Sequence, residues 1–159
     1  MTLTGKTAVI TGSNSGIGLG IAQEMAKAGA NVVLNSFTNR DEDHAIATEI
    51  SKNHGVEARY IQADMSKGDQ CRALIEKAGV CDILINNAGF GGQGLHIERD
   101  LALETAMINL NVTALVTLTH AFGNKMAARG SGKILNVGST AGFMPGPNQA
   151  VYFATKAFV

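Results

Sequence analysis

Tryptophan is absent from this 159-residue chain, and cysteine, proline and tyrosine occur twice each. Cys71 and Cys81 show no CxxC spacing and have no histidines at ligand distances. They read as buried, inert thiols rather than as a disulfide, redox pair or metal site. Scarce proline beside 19 glycines argues against a disordered linker and assigns the glycines to turns and close approaches. Charge of one sign is missing too. Thirteen basic residues balance thirteen acidic ones with no basic run, so no field favours nucleic acid or an anionic membrane. Apolar runs look strand-length, which argues against a transmembrane helix. Thr4, Gly5, Lys6 and Thr7 interrupt any secretory leader. His44, His54, His96 and His120 are dispersed and read as surface or hydrogen-bonded residues, so no metal is expected. A reducing cytoplasm and a small-molecule partner fit these absences.

What is present is enough apolar sequence, 45% of residues, to bury one core, and residues 1–159 read as one domain. Short β-branched runs alternate with helix-like segments. Strands are expected at Thr7–Thr11, Asn31–Asn35, Ala58–Gln62, Asp82–Asn86 and Lys133–Val137. Between them, helices are expected at Ile17–Ala28, Asp41–His54 (Asp41 as cap, Gly55 as stop), about Asp69–Ala78 and Ala102–Ala128. Repeated βαβ units imply an α/β fold, a doubly wound parallel sheet covered on both faces, with its crevice at the strands' C-terminal ends.

Directly after the first strand comes Thr11-Gly12-Ser13-Asn14-Ser15-Gly16-Ile17-Gly18. Gly12 suits a tight turn, Gly16 leaves room for a pyrophosphate, and Gly18 lets the helix approach closely. The helix N-terminus offers unpaired N–H groups to phosphate. Placement between strand and helix points to a dinucleotide. Further along, Tyr152 and Lys156 are spaced to share one helix face, a pair that is by itself common on protein surfaces. Ser139, at the end of the fifth strand, changes that balance.

These segments together resemble the short-chain dehydrogenase family. TGSNSGIG is similar to its TGxxxGIG fingerprint, and Asn86-Asn87-Ala88-Gly89 to its NNAG motif. Asp64 follows the third strand where the family places an acid near the adenine. Asn111, Ser139, Tyr152 and Lys156 resemble its catalytic tetrad, with Asn109 as the competitor for the asparagine. The resemblance implies Gly12, Ser13, Asn14, Ser15, Gly16, Ile17, Gly18, Ser36, Asp64, Asn87, Ala88, Gly89, Tyr152 and Lys156 as cofactor-binding positions. Tyrosine alone releases its proton only in strong base, and an adjacent ammonium stabilises the phenolate. Tyr152 is accordingly expected as general acid/base, and Lys156 as its tuner and ribose ligand. Ser139 is expected to bind the substrate oxygen, and Asn111 to support a proton path to Lys156 through water.

Hydride transfer between nicotinamide and a small secondary alcohol or ketone is the implied activity. Met1 to about Gly89 resembles D-3-hydroxybutyrate dehydrogenases, and Phe90–Val159 resembles generic short-chain oxidoreductases. Ala141 and Gln149 stand where the hydroxybutyrate enzymes carry carboxylate-binding residues, which argues against that substrate. NAD is slightly favoured by Asn35-Ser36-Phe37 and uncharged Ser15, while Arg40 keeps NADP open. Family members are longer, so the resemblance implies a chain cut short soon after Lys156, without further strands and the substrate lid. The alternative function is therefore a non-catalytic dinucleotide-binding fragment or dimerising module. Family members also pair through the helix matching Ala102–Ala128, whose Leu110, Val112, Leu115, Val116 and Leu118 cover more than one face. A homodimer or homotetramer is expected.

Overall fold

A computed structural model describes residues 2–159. Five strands, β1 (Thr7–Ile10), β2 (Asn31–Ser36), β3 (Ala58–Gln62), β4 (Ile83–Asn86) and β5 (Lys133–Asn136), form one parallel sheet in the order β3-β2-β1-β4-β5. From β1 the chain winds outward through β2 to β3, then returns to the other side of β1 for β4 and β5. The reversal opens a crevice between β1 and β4 at their C-terminal ends.

Consecutive residues of β1 feed opposite layers, which is why its run is apolar throughout. Ala8 and Ile10 join Val32, Leu34 and Ile85 under α1 (Gly16–Lys27) and α2 (Asp41–His54). Val9 joins Val33, Ile61 and Leu84 under α3 (Gly68–Ala78) and the long helix, through Leu74, Leu118 and Phe122. This two-sided cover fails at β5, all four of whose residues are exposed. The expectation of a sheet covered on both faces therefore holds for β1–β4 and is corrected at this edge strand.

The segment expected as one helix is a composite of α4 (Leu101–Ile108), a π turn (Asn109–Ala114) and α5 (Leu115–Ala128). Leu101–Ala128 is also long and apolar enough to cross a membrane, with a window of mean hydropathy 1.5, so the strand-length reading of its apolar runs is corrected. Much of that apolarity serves the sheet: Met107, Ala114, Leu118, Phe122 and Met126 are buried.

At the start of α2 the cap is Arg40, not Asp41. Asp43, three residues on, reaches back to accept from the Arg40 N–H at 3.0 Å. Gly55 ends α2 in the left-handed conformation, φ +66°. A final helix, α6 (Ala150–Phe158), is too short to persist alone. It rests on the turn Thr140–Gly142, where a Cβ at Gly142 would come within 2.6 Å of the Lys156 carbonyl oxygen.

Candidate active site

The glycine loop is built by close approach. Gly12 has φ +60°, and a Cβ there would lie 2.9 Å from Ala88 Cα, so the loop rests directly on the segment leaving β4. A Cβ at Gly18 would meet the Gly12 carbonyl oxygen and stand 2.5 Å from Asn87 Nδ2. Asn87 donates that amide to the carbonyls of Thr11 and Gly12, each at 2.9 Å, while Thr11 Oγ1 accepts from the N–H groups of Asn87 and Ala88. The first turn and the Asn-Asn-Ala-Gly segment are thus one interlocked unit. At the N-terminus of α1, Ser15 makes no side-chain cap, leaving the first-turn N–H groups unpaired by it. Gly16 has φ +56° and open space around its Cα.

This unit forms one wall of a cleft of about 930 Å³ at the sheet's crossing point. Gly12, Asn14, Ser15, Ile17 and Gly18 line it, as do Ser36, Asp64, Asn87, Ala88 and Gly89. So do Ser139, Tyr152 and Lys156. Two expected cofactor positions stand back from the lining. Ser13 is fully buried, donating to the Ile10 carbonyl and accepting from the Asn35 N–H, so its hydroxyl braces the loop against β2. Gly16 contributes its conformation instead.

Asn111 sits behind the cleft in the π turn, buried, while Asn109 is part-exposed. Its Oδ1 accepts from the Phe90 N–H at 3.1 Å, and its Nδ2 donates to Phe90 O at 2.9 Å and Thr155 Oγ1 at 3.0 Å. A Cβ at Gly89 would lie 3.0 Å from Asn111 Oδ1 and 3.6 Å from Lys156 Nζ, so the glycine leaves space where these two side chains converge. Lys156 donates to the Val137 carbonyl at 3.1 Å. Ser139 Oγ accepts from the Ala141 N–H.

The segment Phe90–Gly94 is pinned at several points. Asn111 grips Phe90, and a Cβ at Gly91 would touch the Tyr152 ring at 3.1 Å. Arg99, paired with buried Glu104, donates to the Gln93 carbonyl, and Gly94 donates to Asn148 O. This glycine-rich segment therefore forms a strap against the tyrosine.

At the other end, Asp43 is buried and satisfied by three residues. It accepts from Arg40, from Asn14 Nδ2 at 2.9 Å and from Thr38 Oγ1 at 2.7 Å. The Arg40 side-chain hydrogen bond, helped by Asn14 and Thr38, holds its carboxyl well below the usual carboxylate range despite burial. Asp64 accepts from Ser66 and lies 3.9 Å from Lys67 Nζ. Asn35, also on the cleft wall, has a buried Oδ1 without a donor.

Sequence reading missed several residues that set this geometry. Thr155 couples the π turn to α6, and Asp43 ties the glycine loop to the turn after β2. Thr155 stands between Tyr152 and Lys156 and was available by position; Asp43 looked like any acid in a helix's first turn. Cys71 and Cys81 are buried, and burial raises both thiols, that of Cys81 to about 12. Among the described residues, no cluster of His, Cys, Asp and Glu could hold a metal.

The family model for short chain dehydrogenase matches residues 6–159. A 3-oxoacyl-[acyl-carrier-protein] reductase, FabG, of Staphylococcus epidermidis is 35% identical over 97% of this chain. A D-beta-hydroxybutyrate dehydrogenase of Cupriavidus necator is 38% identical, again over 97%. The chain spans 64% and 60% of those two relatives. Among solved structures, L-sorbose reductase from Gluconobacter frateurii, complexed with NADPH and L-sorbose, superposes with a TM-score of 0.93 at 35% identity, covering 99% of this chain and 61% of that one. The five-stranded parallel sheet, the interlocked glycine loop and these matches lead to one conclusion: the chain belongs to the short-chain dehydrogenase family.

Proposed function

We propose that this protein is an NAD(P)-dependent oxidoreductase that interconverts a small secondary alcohol and its ketone. One observation carries the reading. A single cleft joins a phosphate-sized glycine loop at one end to Ser139, Tyr152 and Lys156 at the other. The residues fit a dinucleotide. Gly12 and Gly18 hold the loop where side chains would obstruct it, and the α1 N-terminus presents unpaired N–H groups to phosphate. Asp64 and Ser36 line the adenosine end, and Lys156 is available to the nicotinamide-side ribose. When bound, the nicotinamide supplies or accepts the hydride.

Tyr152 moves the proton: its hydroxyl gives the proton to the carbonyl oxygen in reduction, leaving a phenolate, and the phenolate takes the alcohol proton in oxidation. Ser139 Oγ holds the substrate oxygen, and Lys156 lines the same cleft beside it. Asn111 acts from behind, fixing Phe90 and Thr155 so that the strap and α6 keep their places. The relatives' names, reductase and dehydrogenase of oxoacyl, hydroxybutyrate and sorbose compounds, support alcohol–ketone chemistry. Ala141 and Gln149 bring no cation for a substrate carboxylate, which favours a neutral substrate.

A copy of the same chain is the expected partner. Leu101, Ile108 and Val116 are exposed along the α4–α5 helix, and light scattering should give at least a dimer at micromolar concentration. The activity is tested by titrating the purified native protein with NADH and NADPH, then following nucleotide absorbance with a panel of neutral ketones. Nucleotide binding with turnover supports the enzyme. Binding without turnover on any ketone supports a non-catalytic nucleotide module. No binding overturns both.

A further inference from the structure

We propose that Asp43 sets the choice between the two dinucleotides: by keeping Arg40 paired, it makes the adenosine end of the cleft favour NAD(H) over NADP(H). This rests on the dinucleotide reading above. The two cofactors differ there by one phosphate on a ribose hydroxyl, which NADP enzymes answer with a cation.

Along this wall the lining side chains of Asn14, Ser15, Ser36 and Phe37 are uncharged. The cation beside it is Arg40, already engaged. Its Nη2 and the cleft-lining Asn14 Nδ2 donate to the same Asp43 oxygen, at 3.0 and 2.9 Å. Its Nε adds a second bond at 3.3 Å to the other oxygen. The arginine therefore stands next to the cleft but faces a carboxylate, and the pair is electrically neutral.

Asp43 cannot yield it cheaply. The carboxylate is 1% exposed and is fixed by Thr38 and the Arg40 N–H as well. Drawing Arg40 onto a phosphate would leave a buried charge held by neutral donors alone, a costly state. It would also set that charge behind the arriving phosphate. Free ribose hydroxyls meet neither conflict. Ser36 offers a hydroxyl, and Asn35 Oδ1 is a buried acceptor without a donor, both suited to neutral partners.

The test is binding, by calorimetry or nucleotide fluorescence, of NADH and NADPH to the wild-type protein, Asp43→Asn and the double variant Asp43→Asn/Arg40→Ala. Wild type should bind NADH more tightly. Asp43→Asn frees the guanidinium and should move the affinity ratio toward NADPH by about tenfold or more, the scale of one hydrogen bond to a charged group. Removing Arg40 as well should abolish that gain. General loosening of the glycine loop through Asn14 weakens both nucleotides together and cannot mimic a change of ratio. Wild type that binds NADPH as tightly as NADH overturns the inference alone and requires no variant to fold. So does an Asp43→Asn protein whose ratio stays fixed or moves toward NADH. Wild type that binds neither nucleotide overturns the dinucleotide site itself, and this inference with it.

Discussion

Gly18 and Gly20 lie on the same helix two residues apart, yet alanine should act on them with opposite signs. At Gly18 the new methyl group would collide with the Gly12 carbonyl oxygen and Asn87 Nδ2. Backbone cannot retreat there without moving the glycine loop, so the asparagine must swing away. It would lose two hydrogen bonds of 2.9 Å, to Thr11 O and Gly12 O. Each is worth about 1 kcal/mol net, and residual overpacking adds roughly 1–3 kcal/mol. A loss of about 3–5 kcal/mol follows, with weaker dinucleotide binding because the loop itself is displaced. At Gly20 nothing lies within 4 Å of the added carbon. Alanine there changes helix propensity alone and should stabilise by about 0.5–1 kcal/mol. Urea unfolding of both variants beside wild type reads the difference as midpoint shifts of opposite direction. Equal shifts, or a Gly18→Ala protein as stable as wild type, would refute the interlock between glycine loop and Asn87.

Acid stability should carry the signature of Asp43. Its folded carboxyl is held below its unfolded value, so its contribution is fully present above about pH 4 and fades as pH falls further. Urea midpoints from pH 6 to pH 3 should drop less steeply for Asp43→Asn than for wild type; parallel curves would refute the contribution. Cys81, buried and pushed up to about 12, should resist alkylation at pH 8 in the native protein and react at an ordinary rate in urea, as mass spectrometry would register. Rapid native labelling of Cys81 would show that its surroundings open.

Local chemistry made most of the fold legible. α2 and β3 run over the ranges expected, because Gly55 stops the helix and a β-branched, aromatic run follows. Where the reading failed, the deciding contact was distant in sequence or the periodicity was silent. A largely apolar helix conceals a π turn, since shifting its hydrogen bonds changes no hydrophobic pattern; what marks the turn is Asn111 reaching Phe90 and Thr155. Arg40 carries no capping side chain of the usual kind, so the cap at Asp41 was the natural expectation. Its true stabiliser, Asp43, is recruited by Asn14 and Thr38 from other segments. Ser13 sits within the fingerprint but spends its hydroxyl on Ile10 and Asn35, and a motif cannot reveal which way a side chain turns. Exposure of β5 was equally hidden, because Lys133–Asn136 has the composition of a covered strand.

Proton transfer by Tyr152 in the proposed nicotinamide-linked oxidoreduction is probed by the single variant Tyr152→Phe. Phenylalanine keeps the ring that rests against Gly91 and Phe153 and removes only the oxygen. The measurement is turnover with the ketone that the native protein reduces fastest, alongside NADH or NADPH affinity and the melting transition of the same preparation. Turnover should fall by at least about 10²–10⁴-fold, the usual contribution of a positioned acid or base, while affinity changes less than about twofold. Near-normal turnover in a folded, nucleotide-binding Tyr152→Phe protein would contradict the account.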